Sequence, residues 1–347
     1  MVTIAGRRIG GGAPCFVIAE AGVNHNGDLE LARQLVDVAA SAGADAVKFQ
    51  TFRADGVASA GAPKAGYQLE TTAGDESQLE MLRRLELDRD AFAELKVLAE
   101  GRGLVFLSTP FDVAAVDLLD RLDVAAFKVS SPDLTNLPLL EEIGRRRRPV
   151  ILSTGLADLA EVETGVAVVR AAGARDLIVL HCVSEYPARP EDANLRAMAT
   201  MAERLAVPVG YSDHTEGTEV ALTAVALGAS VLEKHFTLDR SLPGPDHRAS
   251  LEPDELAGLI RAVRRVEATL GDGVKAPTDA ERRNAPAVRR SLAAVTDLPA
   301  GTELTREMLT ALRPGTGIPP GLIGEVVGRH LRRDLERGEL VDRDDLE

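Results

Sequence analysis

Eight short apolar runs rich in β-formers, separated by longer stretches with helical spacing, constrain this 347-residue chain more than any other feature. The runs cover 16–19, 46–49, 104–107, 126–129, 150–152, 177–180, 207–210 and 231–232. Helix-patterned stretches such as 29–42, 89–102, 159–172 and 216–227 lie between them. Strands that alternate with helices pair in parallel through right-handed crossovers. Eight such strands close a (β/α)8 barrel, an α/β fold whose usual size of ~250 residues fits the span. A doubly wound open sheet is the runner-up. Against it, no G-x-G-x-x-G follows the first run, and Gly10-Gly11-Gly12, which precedes it, reads as a turn. Only 3% of residues are aromatic and Trp is absent, so the core must be built from Ala, Val, Leu and Ile. Buried parallel strands and their covering helices suit that set.

The pattern changes after residue 272. Gly271-Asp272-Gly273, Pro277 and Pro286 mark a linker, which gives a barrel over 1–272, a linker over 273–288 and a small β-rich module over 289–347. The module is read from short alternating segments, the turn Pro299-Ala300-Gly301 and the loop Arg313-Pro314-Gly315-Thr316-Gly317. A module that small has little core of its own and leans on a neighbour.

The net charge of −14 excludes nucleic acid as a partner, because a phosphate backbone needs a basic face. A small anionic substrate is still compatible, since a few local Lys and Arg residues override the overall sign. The one basic block, Arg145-Arg146-Arg147-Arg148, precedes Pro149 and reads as a solvated helix end. Cys15 and Cys182 each sit in an apolar run, which fits buried thiols in a reducing cytoplasm better than a disulfide framework. No stretch approaches the ~18 apolar residues of a membrane helix, and the N-terminus lacks the regions of a signal peptide. The expectation is a cytoplasmic protein with no membrane partner.

In a barrel, side chains just past the strand ends face the active site. Here those positions are polar eight times over. The first run ends in Glu20, followed by Asn24-His25-Asn26-Gly27; the second carries Lys48 and ends in Gln50-Thr51. The third ends in Ser108-Thr109-Pro110, the fourth carries Lys128 and ends in Ser130-Ser131-Pro132-Asp133, and the fifth ends in Ser153-Thr154-Gly155. The sixth ends in His181, with Ser184-Glu185-Tyr186 beyond; the seventh leads to Ser212-Asp213-His214 and the eighth to Glu233-Lys234-His235. Each alone has an ordinary structural reading: a helix cap, a paired strand lysine, a core histidine. Burying so many polar groups without partners would cost several kcal/mol each, and a ligand pocket accounts for them together. His214 and His235 lie 21 residues apart, about one βα repeat, so both imidazoles can reach one point at the barrel mouth. With carboxylates such as Glu20 nearby they suit a divalent transition metal such as Mn, Fe, Co or Zn. Lys48, Lys128, Ser108, Thr109, Ser131, Ser153, Thr154 and Ser212 supply the cations and hydroxyls that a phosphate plus a carboxylate would need.

At these positions the sequence resembles the sialic acid synthase family, the bacterial N-acetylneuraminate synthases. The resemblance rests on Ile18-Ala19-Glu20-Ala21-Gly22-Val23-Asn24-His25-Asn26-Gly27, Lys48-Phe49-Gln50-Thr51-Phe52, Ala62-Pro63-Lys64-Ala65-Gly66-Tyr67-Gln68 and Ser108-Thr109-Pro110-Phe111-Asp112. It continues through His181-Cys182-Val183-Ser184-Glu185-Tyr186-Pro187, Ser212-Asp213-His214-Thr215, Glu233-Lys234-His235-Phe236-Thr237 and Gly244-Pro245-Asp246-His247. The C-terminal module, with Arg313, looks like the antifreeze-like (SAF) domain of these enzymes.

The resemblance implies that phosphoenolpyruvate condenses with an open-chain N-acyl hexosamine, N-acetylmannosamine, with C–O cleavage, to give a nine-carbon 2-keto acid and phosphate. A legionaminate-type synthase using a 2,4-diacetamido-6-deoxyhexose is the closest alternative. By the same resemblance His214 and His235 hold a divalent metal, Mn2+ with Mg2+ or Co2+ as alternatives. Lys48, Thr109, Lys128, Ser131, Ser184, Tyr186 and Ser212 surround phosphoenolpyruvate. Glu20, Gln50, Asp133 and Asp246 meet the sugar or the attacking water. Glu20, Asp133 and Glu233 are the candidate catalytic carboxylates. Arg313 would reach the N-acyl group from a partner subunit in a domain-swapped homodimer. The chain departs from the family in reading Ser131-Pro132-Asp133 where Ser-Gly-Glu or Ser-Gly-Asp is usual, and in Ser184 where some members have Asn. Two rival readings are weaker. A glycosidase could pair Glu20 with Glu233, but two lysines and two histidines have no place in it. A free-standing carbohydrate- or ice-binding C-terminal module fits Arg313 less well than a substrate lid does.

Overall fold

The computed structural model describes residues 1–72 and 76–347. Eight strands form one parallel sheet: β1 (Phe16–Gly22), β2 (Ala46–Thr51), β3 (Val105–Pro110), β4 (Phe127–Val129), β5 (Val150–Ser153), β6 (Leu177–Cys182), β7 (Val209–Asp213) and β8 (Val231–His235). The hydrogen-bonded order is β3-β2-β1-β8-β7-β6-β5-β4, and β3 and β4, at its two ends, lie side by side and close the barrel. Six of the eight strands run two or three residues past the apolar runs read from sequence. Hydrophobicity stops where the polar residues begin, but the hydrogen-bond ladder does not.

The helices form the outer layer. Leu29–Ala42 shows why these segments are helical: Ala32, Leu35, Val36 and Ala39 make one buried stripe, and the Asp28 side chain accepts from the backbone N–H groups of Glu30 and Leu31. Gly43 ends the helix at φ 84°, a conformation that suits glycine. The basic block ends the helix Leu137–Arg145, with Arg145, Arg146 and Arg148 each paired to nearby carboxylates.

Two elements escaped the sequence reading. An antiparallel pair, Val2–Ile4 with Arg7–Ile9, places Val2, Ile4 and Ile9 in one apolar cluster with Phe16, Ile18, Ala46, Val105, Leu107, Ile151, Ile178 and Val231. It therefore plugs the N-terminal end of the barrel. The residues Asp279–Val288, inside the stretch read as linker, form a helix capped by Thr278 and Glu281, with Pro286 in its last turn.

The chain divides into two compact units, Met1–Gly271 and Asp272–Glu347. In the second, β9 (Ser291–Ala294) pairs antiparallel with β10 (Leu309–Leu312) over a core of Leu292, Leu298, Leu304, Ile318, Leu331, Leu335 and Val341. Among the described residues no helix is long and apolar enough to cross a membrane.

Candidate active site

Strand alternation builds the site. On β1, Phe16 and Ile18 fill the barrel interior, and Glu20 is the next residue on the same face. The same step of two leads from Ala46 to Lys48 and Gln50, from Leu107 to Thr109, from Ala126 to Lys128, from Ile151 to Ser153 and from Val231 to Glu233 and His235. Each of these six strands is thus apolar inside at its start and polar inside at its end. The polar ends line a cavity of about 580 Å3.

Its floor is an alternating charge ladder. Lys48 Nζ lies 2.8 Å from Glu20 and 3.8 Å from Glu233, while Lys128 Nζ lies 3.4 Å from Glu233. Lys48 also donates to Thr109 Oγ1 at 2.9 Å, Lys128 to Ser153 Oγ at 2.7 Å, and Ser212 to Glu233 Oε1 at 2.8 Å. All four charged groups are buried. Burial and the neighbouring Glu233 charge hold the Glu20 carboxyl above the usual range against the opposing pull of Lys48. For Glu233 burial also pushes up, but Lys128, Lys48 and the Ser212 hydroxyl outweigh it and keep the carboxylate ionised. Burial pushes Lys128 down. Two neighbouring carboxyls pushed apart in this way suit distinct acid–base jobs.

Beside the ladder the backbone bends tightly at Gly155. Its N–H donates to Ser131 Oγ at 3.0 Å and to Cys182 Sγ at 3.1 Å. A Cβ there would sit 2.2 Å from Ser184 Oγ and 3.0 Å from Cys182 Sγ and Ser131 Oγ, so any larger residue would displace these groups. Ser184 Oγ is buried without a hydrogen-bond partner among the described residues. The result is a cradle of hydroxyls and lysines shaped for an anion. Pro132, which has no backbone N–H, opens a short 3-10 helix, a position where that N–H would have no helical partner. Asp133 lines the cavity half-buried, accepts from Ser130 Oγ at 2.5 Å and is pushed up by burial.

On the other side stand the two imidazoles, with ring centres 5.4 Å apart. Burial lowers the His214 imidazole to about 4 and His235 well below its usual value, so both are neutral. His214 Nδ1 lies 2.6 Å from the Val183 carbonyl, which fixes the ring and leaves Nε2 for a ligand. His235 Nδ1 is buried without a hydrogen-bond partner, 4.0 Å from Asp246. Neutral, oriented nitrogens are what a divalent cation takes. No group of three or more His, Cys, Asp or Glu side chains converges on one point among the described residues. The protein part of such a site is therefore two imidazoles, and water or substrate oxygen would complete it. Tyr186 stacks 4.2 Å from the His214 ring, and Tyr67 lies 5.0 Å beyond it.

Glu20, Lys48, Gln50, Thr109, Lys128, Ser131, Asp133, Ser184, Tyr186, Ser212, His214, Glu233, His235 and Asp246 all line this one cavity. Two residues named for the anion pocket do not. Ser108 bonds to Thr51 Oγ1 on the opposite strand face, and Thr154 Oγ1 donates to the Leu180 carbonyl. Period-two alternation turns Ser108 away from the site, because Thr109 faces it. Arg313 belongs to the second unit, where it is exposed. The sequence reading gave no job to Phe52, Met81, Leu82, Leu85 and Phe111, which with Val23 make an apolar wall of the cavity. Most of them lie between β2 and the helix Arg89–Gly101, and no barrel period points them at the strand ends.

The chain matches known proteins along most of its length. The NeuB family pattern matches residues 35–275 and the SAF domain pattern residues 289–347. The N,N'-diacetyllegionaminic acid synthase of Campylobacter jejuni is 47% identical over 94% of this chain and 98% of its own. The enzyme of the same name from Legionella pneumophila is 46% identical over 95% of this chain and 94% of its own. The crystal structure of N-acetylneuraminic acid synthetase from Leptospira borgpetersenii, in complex with citrate, matches with a TM-score of 0.72 and 38% identity, over 82% of this chain and 94% of that one.

Proposed function

The chain belongs to the NeuB family, and we propose that it joins phosphoenolpyruvate to the open-chain aldehyde of a 2,4-diacetamido-6-deoxyhexose, releasing phosphate and a legionaminate-type nine-carbon 2-keto acid. The observation that carries this reading is a lysine- and hydroxyl-lined floor and an apolar wall in one cavity. The floor suits a small molecule bearing a phosphate and a carboxylate. The wall suits an acceptor with a terminal methyl and two acetyl methyls, each worth about 0.8 kcal/mol when buried. N-acetylmannosamine, with a hydroxymethyl end and one acetamido group, is the second reading. The higher identity to the two diacetyllegionaminic acid synthases, 47% and 46% against 37% for the N-acetylneuraminate-9-phosphate synthases of mouse and human, favours the first.

The chemistry balances as follows. Carbon 3 of phosphoenolpyruvate bonds to the aldehyde carbon, whose oxygen gains a proton. Water adds at carbon 2 and gives up a proton. The bond from carbon 2 to the phosphate oxygen then breaks, phosphate leaves with the electron pair, and loss of the hydroxyl proton yields the ketone. Lys48, Lys128, Thr109, Ser131, Ser184, Tyr186 and Ser212 would bind phosphoenolpyruvate, and Gln50 and Asp246 would orient the sugar. Glu20, whose carboxyl is held up, is the group for the water's proton, with Asp133 and Glu233 as the other carboxylates in reach. His214 and His235 would hold a divalent cation, Mn2+ with Mg2+ or Co2+ as alternatives, which would supply Lewis-acid polarisation of the aldehyde oxygen. Arg313 would contribute to acyl recognition in a domain-swapped homodimer.

The test is a comparison of the two sugars with phosphoenolpyruvate and Mn2+, with kcat/KM from phosphate release and the keto acid identified by mass spectrometry. The diacetamido sugar is expected to be favoured about 10-fold or more. A higher kcat/KM for N-acetylmannosamine would overturn the substrate assignment.

A further inference from the structure

One buried ion pair stands outside the cavity and behind both imidazoles. Lys234 is the next-to-last residue of β8 and Asp213 the last of β7; they are paired in register, and both side chains are 0% exposed. Lys234 points away from the cavity that its neighbours Glu233 and His235 line, into the layer between sheet and helices. Its Nζ lies 2.8 Å from Asp213 Oδ2 and donates to the Thr215 carbonyl at 2.5 Å. Asp213 Oδ1 accepts from the Thr215 backbone N–H at 2.9 Å and from Thr215 Oγ1 at 2.8 Å. The turn Asp213-His214-Thr215 is thereby closed on itself and tied at both flanks of His214 to the residue before His235. The Ala188 N–H, which donates to the His214 carbonyl at 2.9 Å, fixes the third side.

A dry ion pair is a poor way to gain stability. Removing two charges from water costs about as much as their attraction returns, and apolar replacements of both partners are often neutral. Here the pair's geometric consequence is specific: it couples the backbone at His214 to the backbone at His235. We propose that Asp213 and Lys234 are positioning residues that set the separation and aim of the two imidazoles for a divalent cation. This rests on the reading of His214 and His235 as cation ligands.

The experiment measures Mn2+ binding calorimetrically, with phosphoenolpyruvate present, for the wild type, His214→Ala, and the paired replacement Asp213→Asn with Lys234→Met. The pair of neutral residues keeps the volume and the acceptor toward Thr215 but removes the tie. It is expected to melt near the wild type, to bind phosphoenolpyruvate with unchanged affinity, and to bind Mn2+ about 10- to 100-fold more weakly, as loss of a ligand-orienting partner does. Excess Mn2+ would then restore turnover. If His214→Ala binds Mn2+ as the wild type does, the cation reading itself fails. If His214→Ala loses Mn2+ and the paired variant does not, the positioning role alone is overturned. If both the Asn/Met pair and an Asp213→Leu, Lys234→Met pair fail to fold, the ion pair is structural and the positioning role is again overturned.

Discussion

At the scale of single residues, buried ion pairs and the hydroxyls that brace them build the cavity floor. Glu20, Lys48, Lys128 and Glu233 stand out in sequence as charges inside apolar runs, and the structure brings all four onto one floor. The side-chain face was less legible. Ser108 and Thr109 are adjacent and alike, and only strand alternation decides that Thr109 Oγ1, which accepts from Lys48, faces the site. Buried histidines also set a pH dependence. His25 is 1% exposed, its Nδ1 accepts from the Gly27 N–H at 3.0 Å, and burial lowers it to about 4. The unfolded chain protonates His25 near pH 6.5, while the folded chain resists until about 4. Stability from this group is therefore full above pH 6.5 and falls as pH drops toward 4, by about 3 kcal/mol in all. Denaturant unfolding at pH 7 and pH 5 should show a smaller acid loss for His25→Gln than for the wild type. Equal losses would contradict this.

At the scale of elements, hydrophobic periodicity located all eight barrel strands but ended most of them early, since polar residues at the mouth remain in the ladder. The N-terminal antiparallel pair was missed because three-residue strands leave no period to read. Its role is nonetheless energetic. Ile4 and Ile9 are 0% exposed and close the barrel's lower end over Phe16 and Ile18. Replacing Ile9 with Ala should cost about 2–5 kcal/mol of unfolding free energy, measured by denaturant titration, with no change in the cavity at the other end. A cost below about 0.5 kcal/mol, typical of surface sites, would show that the pair is not part of the core. The helix Asp279–Val288 was hidden by Pro277 and Pro286, which read as breakers, although Pro286 falls in the last turn.

At the scale of the molecule, the barrel and the C-terminal unit were both visible as a change of pattern near residue 272, and the two units divide at Gly271 and Asp272. The apolar wall was not visible, because Met81, Leu82 and Leu85 reach the cavity from a segment outside the βα repeat. The proposed acceptor therefore rests on the apolar wall and on similarity to the two diacetyllegionaminic acid synthases, not on a sequence motif. If Arg313 serves the acceptor's acyl group, Arg313→Ala should raise the sugar KM about 10-fold or more, in line with loss of a charge-assisted hydrogen bond. The phosphoenolpyruvate KM should stay constant, and sedimentation should report the same oligomeric state as the unsubstituted chain. An unchanged sugar KM would exclude that role. The central claim is that the strand-end ring condenses phosphoenolpyruvate with a sugar aldehyde by breaking the carbon–oxygen bond. It is tested most directly with phosphoenolpyruvate carrying 18O in its bridging oxygen, the diacetamido sugar and Mn2+, followed by phosphorus NMR of the released phosphate. The label is expected to leave with phosphate. Label-free phosphate, or none released with either sugar, would contradict it.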